Sequence, residues 1–303
     1  MDSERVVVQE QATRAGQAQS GDAHGFPSRA AERVIAVALD EDVGGGDITT
    51  LSTVPADAEA TARLVAKQAL RLAGLPAFRM VFTALGGADL RWEYRHRDGD
   101  PVEPGTEVLR VTGNARVLLT GERTALNLVQ RLSGVATLTA RWVGHLAGTS
   151  SRLVDTRKTT PGLRALEKYA VRVGGAANHR TGLYDGVLIK ENHIRAAGGI
   201  AAAVAAAEAA APHTLRVQVE VTDLEELRQA LDAGAGAVLL DNMSDGTLCE
   251  AVRLTAGRAV LEASGGITED RLGSVAATGV DLISAGALTH SAPAVDLSFL
   301  FET

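Results

Sequence analysis

The sequence predicts an α/β fold in which a parallel barrel follows a smaller domain of mixed helices and strands. Two observations predict the barrel. Short aliphatic runs recur six times after residue 150, and a helical pattern follows each of them, which is typical of a parallel sheet. No GxGxxG dinucleotide-binding motif accompanies these units, so a barrel is favoured over an open, doubly wound sheet. The runs are Arg152–Val154, Gly186–Ile189, Leu215–Val221, Ala237–Leu240, Ala259–Leu261 and Val280–Ile283.

The segments between these runs carry helix start and stop signals. Thr222-Asp223-Leu224-Glu225 reads as a capping box, and Gly234 stands at the position where such a helix ends. Thr160 precedes Pro161 at a second predicted helix start, and Gly174-Gly175 would end that helix. These signals support the strand–helix alternation.

Before residue 150 the pattern is a mixture of helices and strands. Residues 1–28 are polar and lack periodicity, so we expect a disordered tail there. Turn-forming clusters at 98–101 and 103–105 separate the later segments. The predicted helices are Ala30–Leu39, Leu75–Leu85 and Gly121–Leu146, and the predicted strands are Ala62–Lys67, Asp89–Arg95 and Thr106–Val111.

Composition excludes several classes of protein. Of the 303 residues 46% are hydrophobic, so a wholly disordered chain is excluded. The net charge of −7 argues against a nucleic-acid partner. The single cysteine, Cys249, excludes an internal disulfide framework and suits a reducing, cytoplasmic location. No apolar run approaches the roughly 20 residues of a membrane span, so no membrane partner is expected.

Charged residues follow the predicted strands, at the end where βα barrels hold their active sites. Arg157 and Lys158 follow the first run, Lys190 follows the second, and Glu220 and Asp241 stand at later strand ends. Converging cations repel one another unless a multiply charged anion binds them. Carboxylates suit Mg²⁺ or sugar hydroxyls. The residues alone therefore indicate an enzyme for an anionic, phosphorylated substrate with Mg²⁺, and they do not define the reaction.

Two late strands are followed by glycines that would let backbone N–H groups approach a phosphate. These segments are Ser264-Gly265-Gly266 and Ser284-Ala285-Gly286, and Glu262 just before the first is a further candidate carboxylate. Each signal alone has a simpler interpretation, because a lone charged pair after a strand is usually solvated surface. The recurrence of polar or glycine-rich segments at successive strand ends favours a functional site over solvated surface. Cys249 is expected to be a small core residue, and the histidines expected to be structural are His145, His193 and His290.

A longer set of motifs resembles one enzyme family. The segment Asp155–Arg164, DTRKTTPGLR, is long and specific, and Lys168–Val171 and Asn178–Arg180 accompany it. Together they resemble the quinolinate phosphoribosyltransferases, also called carboxylating nicotinate-nucleotide pyrophosphorylases. The resemblance runs in order from about residue 30 to residue 303. Further matching segments are Glu41–Asp42, Gly46–Thr50, Gly121–Asn127, Leu188–His193, Leu240–Met243, Glu262–Gly266 and Gly286–His290.

This resemblance implies a two-domain architecture. An N-terminal α/β sandwich would occupy residues 29–125, and an incomplete α/β barrel of about seven strands, with the active site, would occupy residues 126–291. The C-terminal residues 292–303 would return to the sandwich. The family forms homodimers with shared active sites, or hexamers built from them, and by resemblance Arg123 is the residue lent to the neighbouring subunit.

The implied reaction joins quinolinate to phosphoribosyl pyrophosphate, giving nicotinate mononucleotide, pyrophosphate and CO₂ for NAD biosynthesis. Mg²⁺ would assist departure of pyrophosphate, and the ribosyl centre would pass through an oxocarbenium-like state before the pyridine nitrogen attacks. By resemblance, the catalytic residues are Lys158, Glu220 and Asp241, of which the two carboxylates also hold Mg²⁺, directly or indirectly. The implied quinolinate-binding residues are Arg123, Thr156, Arg157, Lys158, His179, Arg180 and Lys190. The implied phosphoribosyl pyrophosphate-binding residues are Lys158, Lys190, Glu220, Asp241, Ser264, Gly265, Gly266, Ala285, Gly286 and Ala287.

Two alternatives stay open at this point. One is a paralogue with the same fold that uses another pyridine or azole acid. The other is a catalytically silent barrel that binds phosphorylated metabolites, with the N-terminal tail recruiting a partner. One sequence departure also affects a loop, because Ala176 stands where members of the family often have glycine, and an alanine there would restrict φ.

Overall fold

The computed structural model of the protein describes residues 25–302. The chain divides into two compact units, one running to Gly134 and resuming at Ala294, the other spanning Val135–Pro293. Most of the predicted tail, residues 1–24, lies outside the described residues, as does Thr303. Ser28, the last residue of the predicted tail, is the first residue of a helix.

The first unit combines helices with an antiparallel sheet. Its elements are α1 (Ser28–Val43), α2 (Ile48–Thr53), β1 (Glu59–Ala66), β2 (Leu70–Arg71), α3 (Leu75–Ala84), β3 (Arg91–Tyr94), β4 (Pro101–Val102), β5 (Glu107–Asn114) and α4 (Ala115–Gly144), the last of which continues into the second unit. All three predicted helices and all three predicted strands are present here. The largest error is at α4, which begins six residues before the predicted Gly121.

The second unit alternates strands and helices. Its elements are β6 (Arg152–Val154), α5 (Arg164–Val173), β7 (Val187–Ile189), α6 (Glu191–Ala197), α7 (Ile200–Ala210), β8 (Val217–Val221), α8 (Leu224–Asp232), β9 (Ala237–Asp241), α9 (Asp245–Thr255), β10 (Val260–Ser264), a 3₁₀ turn (Glu269–Arg271), α10 (Leu272–Ala277), β11 (Leu282–Ser284) and α11 (Ala287–His290). A final strand, β12 (Leu297–Phe301), belongs to the first unit. Each of the six predicted runs overlaps one of the strands β6 to β11, although β10 and β11 share only two residues each with the predicted runs.

The antiparallel sheet of the first unit has the order β12-β1-β5-β3. The C-terminal strand pairs with β1 over five residues, from Ala62 opposite Phe301 to Ala66 opposite Leu297. Phe299 of this strand packs against Phe78 and Phe82 of α3, with ring centroids 5.6 and 5.7 Å apart. The last strand therefore supplies part of the core of the first unit, where burial of each aromatic ring contributes strongly to stability.

The six strands of the second unit form a parallel sheet in the order β6-β11-β10-β9-β8-β7. In the described residues this sheet is not closed into a complete barrel. A one-residue parallel bridge joins Val154 to Ala177 beyond β6. The Ala177 N–H donates to the Leu153 carbonyl at 2.9 Å, and the Asp155 N–H donates to the Ala177 carbonyl at 3.2 Å. The implied seventh strand is therefore reduced to a single residue, and six regular strands remain.

The helix signals proved partly correct. Asp223, not Thr222, caps α8, because its carboxylate accepts the N–H groups of Glu225 and Glu226. The helix predicted to start at Thr160–Pro161 begins only at Arg164. Thr160 instead donates its N–H and its hydroxyl to the Glu167 carboxylate at 3.0 and 2.7 Å, which holds the preceding loop against α5.

Two further features of the chain bear on earlier expectations. Within residues 25–302 no helix is both long enough and apolar enough to cross a membrane. Cys249 is exposed, so the prediction of a core cysteine is wrong. It lies on α9, whose buried positions are Leu248, Ala251 and Thr255, and the neighbouring position 249 turns away from that buried stripe.

Candidate active site

A cavity of about 760 Å³ opens at the carboxyl ends of the parallel strands, within the second unit. Parallel strands place these ends at one edge of the sheet, so residues far apart in sequence meet there. The implied site residues that line it are Thr156, Arg157, Lys158, His179, Arg180, Lys190, Glu220, Asp241, Ser264, Gly265, Gly266, Ala285, Gly286 and Ala287. Arg123 is not among the lining residues; it is an exposed residue of α4 in the first unit.

Positive charge in this cavity has few protein acceptors. The guanidinium Nε of Arg157 is buried without a hydrogen-bond partner. Arg180 donates from Nη1 to the Gly186 carbonyl at 3.0 Å. Burial lowers the pKa of Arg180, and the neighbouring charge of Arg157 lowers it further. Two partly desolvated guanidinium groups so close together favour an anionic ligand, whose carboxylate or phosphate each planar fork can grip through two hydrogen bonds.

Two carboxylates face these cations. Glu220 forms an ion pair with the Lys190 ammonium, and its side chain is 18% exposed. Asp241 accepts a hydrogen bond from the Asn242 amide at 2.8 Å. Glu220 of β8 lies level with Leu239 of β9, and Asp241 follows two residues later on the same face. Both carboxylates therefore point into the cavity from adjacent strands.

The same pair of carboxylates bears on the expectation of Mg²⁺. Among the described residues, no three His, Cys, Asp or Glu side chains form a group that could hold a metal ion unaided. Mg²⁺ in enzymes is commonly held by one or two carboxylates together with waters and phosphate oxygens of the substrate. Glu220 and Asp241 fit that mode of binding, in which the phosphorylated ligand supplies further oxygens.

Glycine is required in the wall formed after β10 and β11. Gly265 has a φ of +82°, and a Cβ there would lie 2.4–2.8 Å from the side-chain atoms of Asn242. At Gly286 a Cβ would lie 2.8 Å from Cδ of Lys158 and 3.1 Å from the His290 ring. At Gly265 the positive φ disfavours any side chain as well, whereas at Gly286 the Lys158 and His290 side chains would have to shift. The bare backbone at both positions lets the wall lie next to the polar side chains.

A buried ion pair positions the loop that carries His179 and Arg180. Asp155 is fully buried and pairs with Lys168, which is 2% exposed. Asp155 also accepts the backbone N–H of His179 at 2.8 Å and the Asn178 amide at 2.6 Å. Lys168 donates to the His179 carbonyl at 2.9 Å. Burial raises the pKa of Asp155 and lowers the pKa of Lys168. The backbone of His179 is thus held on both its N–H and its carbonyl.

The loop departure at Ala176 has no structural consequence for φ. Ala176 is not among the described non-glycine residues with positive φ, whereas Gly175 has a φ of +96°. The left-handed position is therefore occupied by glycine, and the concern that alanine restricts this loop is not supported. The Ala176 N–H donates to the Val171 carbonyl at 3.2 Å, a bond that closes the C-terminus of the helix after the left-handed Gly175.

The histidines expected to be structural divide into two groups. His193 accepts the Lys190 N–H through Nδ1 at 2.9 Å and so caps α6, and His145 bonds Glu269 at 3.1 Å. All three are exposed, and His290 differs because it lines the cavity. The sequence missed it since its helix, α11, is only four residues long and gives no periodic signal.

Sequence reasoning also gave no role to Gln218, although a signal was present. Gln218 alternates with valines in Val217–Val221 and shares a strand face with Glu220. It is 8% exposed, and its amide reaches both His179 and Glu262. Glu262, expected just beyond a strand, lies inside β10 and is 1% exposed. Polar residues on the inner face of a barrel strand are therefore as informative as those after its end.

Comparison with known proteins places the chain in a family. Two family models match, one describing the N-terminal domain of quinolinate phosphoribosyl transferase over residues 47–133 and the other its C-terminal domain over residues 135–300. The carboxylating nicotinate-nucleotide pyrophosphorylase of Mycobacterium leprae is 45% identical over 273 residues, covering 88% of this chain and 96% of that protein. The chloroplastic carboxylating enzyme of Arabidopsis thaliana is 39% identical over 296 residues, covering 91% and 84%. The structure of nicotinate-nucleotide pyrophosphorylase from Francisella tularensis matches with a TM-score of 0.87 at 40% identity, covering 91% and 97%. The chain therefore belongs to the quinolinate phosphoribosyltransferase family.

Proposed function

We propose that this chain transfers the phosphoribosyl group of phosphoribosyl pyrophosphate to quinolinate, releasing pyrophosphate and CO₂ and forming nicotinate mononucleotide. Its relatives carry the names of that activity. The observation that carries the proposal is the charge distribution of the cavity, where Arg157, Arg180 and Lys158 share one space with Glu220 and Asp241. Such a space suits a dicarboxylate beside a sugar phosphate.

The two arginines are proposed to bind the adjacent carboxylates of quinolinate. A guanidinium grips a carboxylate through two parallel hydrogen bonds, which fixes the plane of the pyridine ring as well as its position. Thr156, His179, Lys158 and Lys190 line the same space and complete the proposed quinolinate site.

The phosphoribosyl pyrophosphate site is proposed to lie along β8 to β11. Glu220 and Asp241 would accept hydrogen bonds from the ribose hydroxyls, and Lys158 and Lys190 would neutralise phosphate charge. Lys190 already pairs with Glu220, so the substrate would have to share that ion pair or open it. The backbone segments proposed to hold the 5′-phosphate are Ser264-Gly265-Gly266 and Ala285-Gly286-Ala287, where the glycines permit a close approach.

Mg²⁺ is proposed as the cofactor, held by Glu220 and Asp241 together with oxygens of the substrate. When bound, it would supply positive charge to the departing pyrophosphate. The chain's own contribution follows from its fixed charges. As the C1′–pyrophosphate bond breaks, Glu220 and Asp241 place negative charge beside the ribosyl centre, which becomes cationic. The pyridine nitrogen of quinolinate, oriented by Arg157 and Arg180, forms the new bond to C1′.

The final step is loss of the 2-carboxylate as CO₂. The nitrogen is cationic once it has bonded to C1′, so the ring can accept the electron pair of the breaking carbon–carbon bond, and a proton from solvent then replaces the carboxylate. The chain's role here is positioning, because held reactants react far faster than free ones. No covalent nucleophile is needed, and exposed Cys249 on α9 has no part in this proposal.

The site is proposed to be completed by a second copy of the chain. Arg123 is exposed on the first unit and does not line the cavity of the second, yet a dicarboxylate would benefit from a further guanidinium. We propose a homodimer with shared sites, alone or as the unit of a hexamer. The single cysteine supports a cytoplasmic location.

Subunit sharing has a direct test by mixing two inactive variants. Arg123→Ala and Lys158→Ala impair different parts of the proposed composite site. Equal amounts, mixed under conditions that exchange subunits, should form about half heterodimers with one intact site in two, and recover roughly a quarter of wild-type activity. Arg123→Ala mixed with itself is the control. Absence of recovery despite proven exchange contradicts a shared site.

The reaction itself is tested with purified protein, phosphoribosyl pyrophosphate and Mg²⁺, comparing quinolinate with nicotinate. Nicotinate mononucleotide should form from quinolinate only, together with equimolar CO₂. Arg180→Ala should abolish the preference for the dicarboxylate, and Arg195→Ala, an exposed residue paired with Glu191, should not. Product from neither acid would favour the paralogue with another acceptor, and product from nicotinate alone would overturn the proposed substrate.

A further inference from the structure

A chain of three side chains crosses the floor of the cavity. His179, from the loop after α5, contacts Gln218 of β8, which in turn contacts Glu262 of β10. Strand β9 lies between β8 and β10, and Gln218 is level there with Ala237. Glu262 is level with Leu239, two residues further along β9, so the contact between Gln218 and Glu262 runs diagonally across that strand. The result is a polar connection buried within the sheet, with Gln218 8% and Glu262 1% exposed.

The direction of each hydrogen bond in this chain is determined by its neighbours. The backbone N–H of Arg180 donates to Nδ1 of His179 at 2.7 Å, so Nδ1 carries no proton. The ring proton is therefore on Nε2, which lies 3.1 Å from Oε1 of Gln218. The Gln218 amide nitrogen donates to Oε2 of Glu262 at 2.9 Å. Because the carboxylate of Glu262 only accepts hydrogen bonds, the amide nitrogen of Gln218 faces Glu262 and the amide oxygen faces His179. That oxygen in turn accepts the proton on Nε2 of the ring.

We propose that Gln218 and Glu262 are positioning residues that hold His179 in its Nε2–H tautomer and thereby position Arg180. In this tautomer Nδ1 accepts the Arg180 N–H. In the other tautomer two N–H groups would face each other across 2.7 Å, and the Arg180 backbone would have to move. Both ring nitrogens already have partners within the chain. His179 therefore contributes to the proposed quinolinate site by lining it and by placing Arg180, and the guanidinium and ammonium groups supply the charge that binds the ligand's carboxylates.

A second observation supports the role of Glu262. Its other oxygen, Oε1, is buried, lacks a hydrogen-bond partner and belongs to a residue that lines the cavity. A buried carboxylate with an unused oxygen is costly for folding, so this group is not explained by stability alone. Its charge, 3.5 Å from Nε2 of His179, polarises both hydrogen bonds of the chain.

The consequence for activity rests on the proposed function, whereas the tautomer does not. Gln218→Leu removes both the acceptor for the ring and the donor to Glu262 at nearly constant volume. We expect roughly a tenfold fall in kcat/KM for quinolinate, the size expected when a binding group loses a hydrogen bond that positions it. The KM for phosphoribosyl pyrophosphate should stay within about twofold, because the proposed sugar-phosphate site does not include Arg180.

The matched control is Thr255→Val. Thr255 is also 1% exposed and has a buried oxygen without a partner, but it does not line this cavity. It reports the effect of altering a buried polar group elsewhere in the same unit. We expect wild-type kinetics from this variant.

Nitrogen-15 NMR of histidine-labelled protein measures the tautomer directly, with the His179 signals assigned by their loss in His179→Asn. Wild-type His179 should show a protonated Nε2 and an unprotonated Nδ1. Glu262→Gln should populate both tautomers, because Gln218 can then turn its amide over.

A wild-type ring protonated on Nδ1 overturns the proposal, as does a Gln218→Leu variant that matches Thr255→Val in both kinetics and spectrum. If Gln218→Leu does not fold, the spectra of the wild type and of Glu262→Gln still show which ring nitrogen of His179 carries the proton and whether Glu262 determines it. If the protein lacks the proposed activity, the spectra test the positioning independently.

Discussion

The two ends of the parallel sheet carry cavities that differ in what their charges bind. The cavity at the carboxyl ends measures about 760 Å³ and the one at the amino ends of β8 to β11 about 440 Å³. The smaller cavity also has cations, Arg216 and Arg258, and a carboxylate, Asp281. Charge alone therefore does not distinguish an active site from a structural feature of the same barrel.

The difference lies in burial and in the remaining hydrogen-bonding capacity. At the amino ends Asp281 accepts the Leu261 N–H at 2.8 Å, and Arg258 donates to the carbonyls of Thr255 and Leu254. Both residues are exposed, so they bind backbone at little desolvation cost. At the carboxyl ends the Nε of Arg157 is buried with no partner. The amino-end cavity also has a buried group without a partner, the Thr255 hydroxyl, but that group is neutral. A buried charged donor without an acceptor destabilises the fold more, which indicates a site selected for an anionic ligand at the carboxyl ends.

Removing one arginine from each cavity should produce the largest contrast. Arg157→Ala deletes a charge-assisted bidentate contact to substrate and should lower kcat/KM for quinolinate by a factor of roughly 10²–10³. Arg258→Ala should leave kcat/KM within about twofold. Steady-state kinetics check both values. Equal losses in the two variants would contradict the assignment of the active site to the carboxyl ends.

A second contrast concerns stability. Lys168→Met leaves Asp155 buried without its cation and should lower the free energy of unfolding by about 3–5 kcal/mol. Arg258→Met removes an exposed ion pair with Asp232 and two exposed hydrogen bonds to backbone carbonyls, and should lower it by about 1 kcal/mol. Urea unfolding of both variants measures the difference. A mild effect of Lys168→Met would show that the ion pair does not hold the His179 loop.

The pH dependence of Lys168→Met sharpens the same point. Burial raises the folded pKa of Asp155 above its unfolded value, so the protonated carboxyl favours folding. Without Lys168 this stability is present at low pH and is lost as pH rises through the folded pKa. Lys168→Met should therefore unfold at a lower urea concentration at pH 8 than at pH 5. Adding Asp155→Asn to this variant should remove the difference in urea midpoint between pH 5 and pH 8. A difference that persists in the double variant would mean that another group causes it.

A third contrast pairs two carboxylates. Glu220→Gln removes negative charge beside the ribosyl centre and should lower kcat by roughly 10- to 100-fold with little change in Tm. Asp281→Asn weakens one hydrogen bond to backbone and should lower the free energy of unfolding by about 1 kcal/mol while sparing kcat. Kinetics and thermal unfolding of each variant separate the two effects. A loss of kcat in Asp281→Asn would refute a purely structural role for the amino-end cavity.

The smallest expected effect comes from two glycines. Gly265 and Gly257 both have positive φ, +82° and +76°, so alanine should strain each by about 1 kcal/mol. Only at Gly265 would the added Cβ meet another side chain, that of Asn242. Gly265→Ala should therefore raise the KM for phosphoribosyl pyrophosphate several-fold, and Gly257→Ala should not. Equal KM values in the two variants would remove the segment after β10 from the phosphate site.

Strand positions and cavity residues were predictable because both follow from local sequence. Each aliphatic run overlaps a strand. Lys190 lines the cavity directly after β7, and Lys158 does so in the loop that follows β6. Contacts that cross the sheet were not predictable, since the meeting of Gln218 and Glu262 depends on the register of β8 and β10 with β9, where Gln218 is level with Ala237 and Glu262 with Leu239. The prediction for Cys249 was wrong because it rested on the general preference of free cysteines for burial and did not ask which face of the helix carries position 249. Arg123 lies outside the cavity, so its role rests on the family resemblance.

The central claim is that the cavity at the carboxyl ends binds quinolinate through its arginines. Calorimetric titration of quinolinate into wild-type protein, Arg157→Ala and Arg258→Ala tests it most directly. The account predicts one site per chain in the wild type and in Arg258→Ala, and no measurable binding in Arg157→Ala. Unchanged binding in Arg157→Ala together with loss of binding in Arg258→Ala would contradict it.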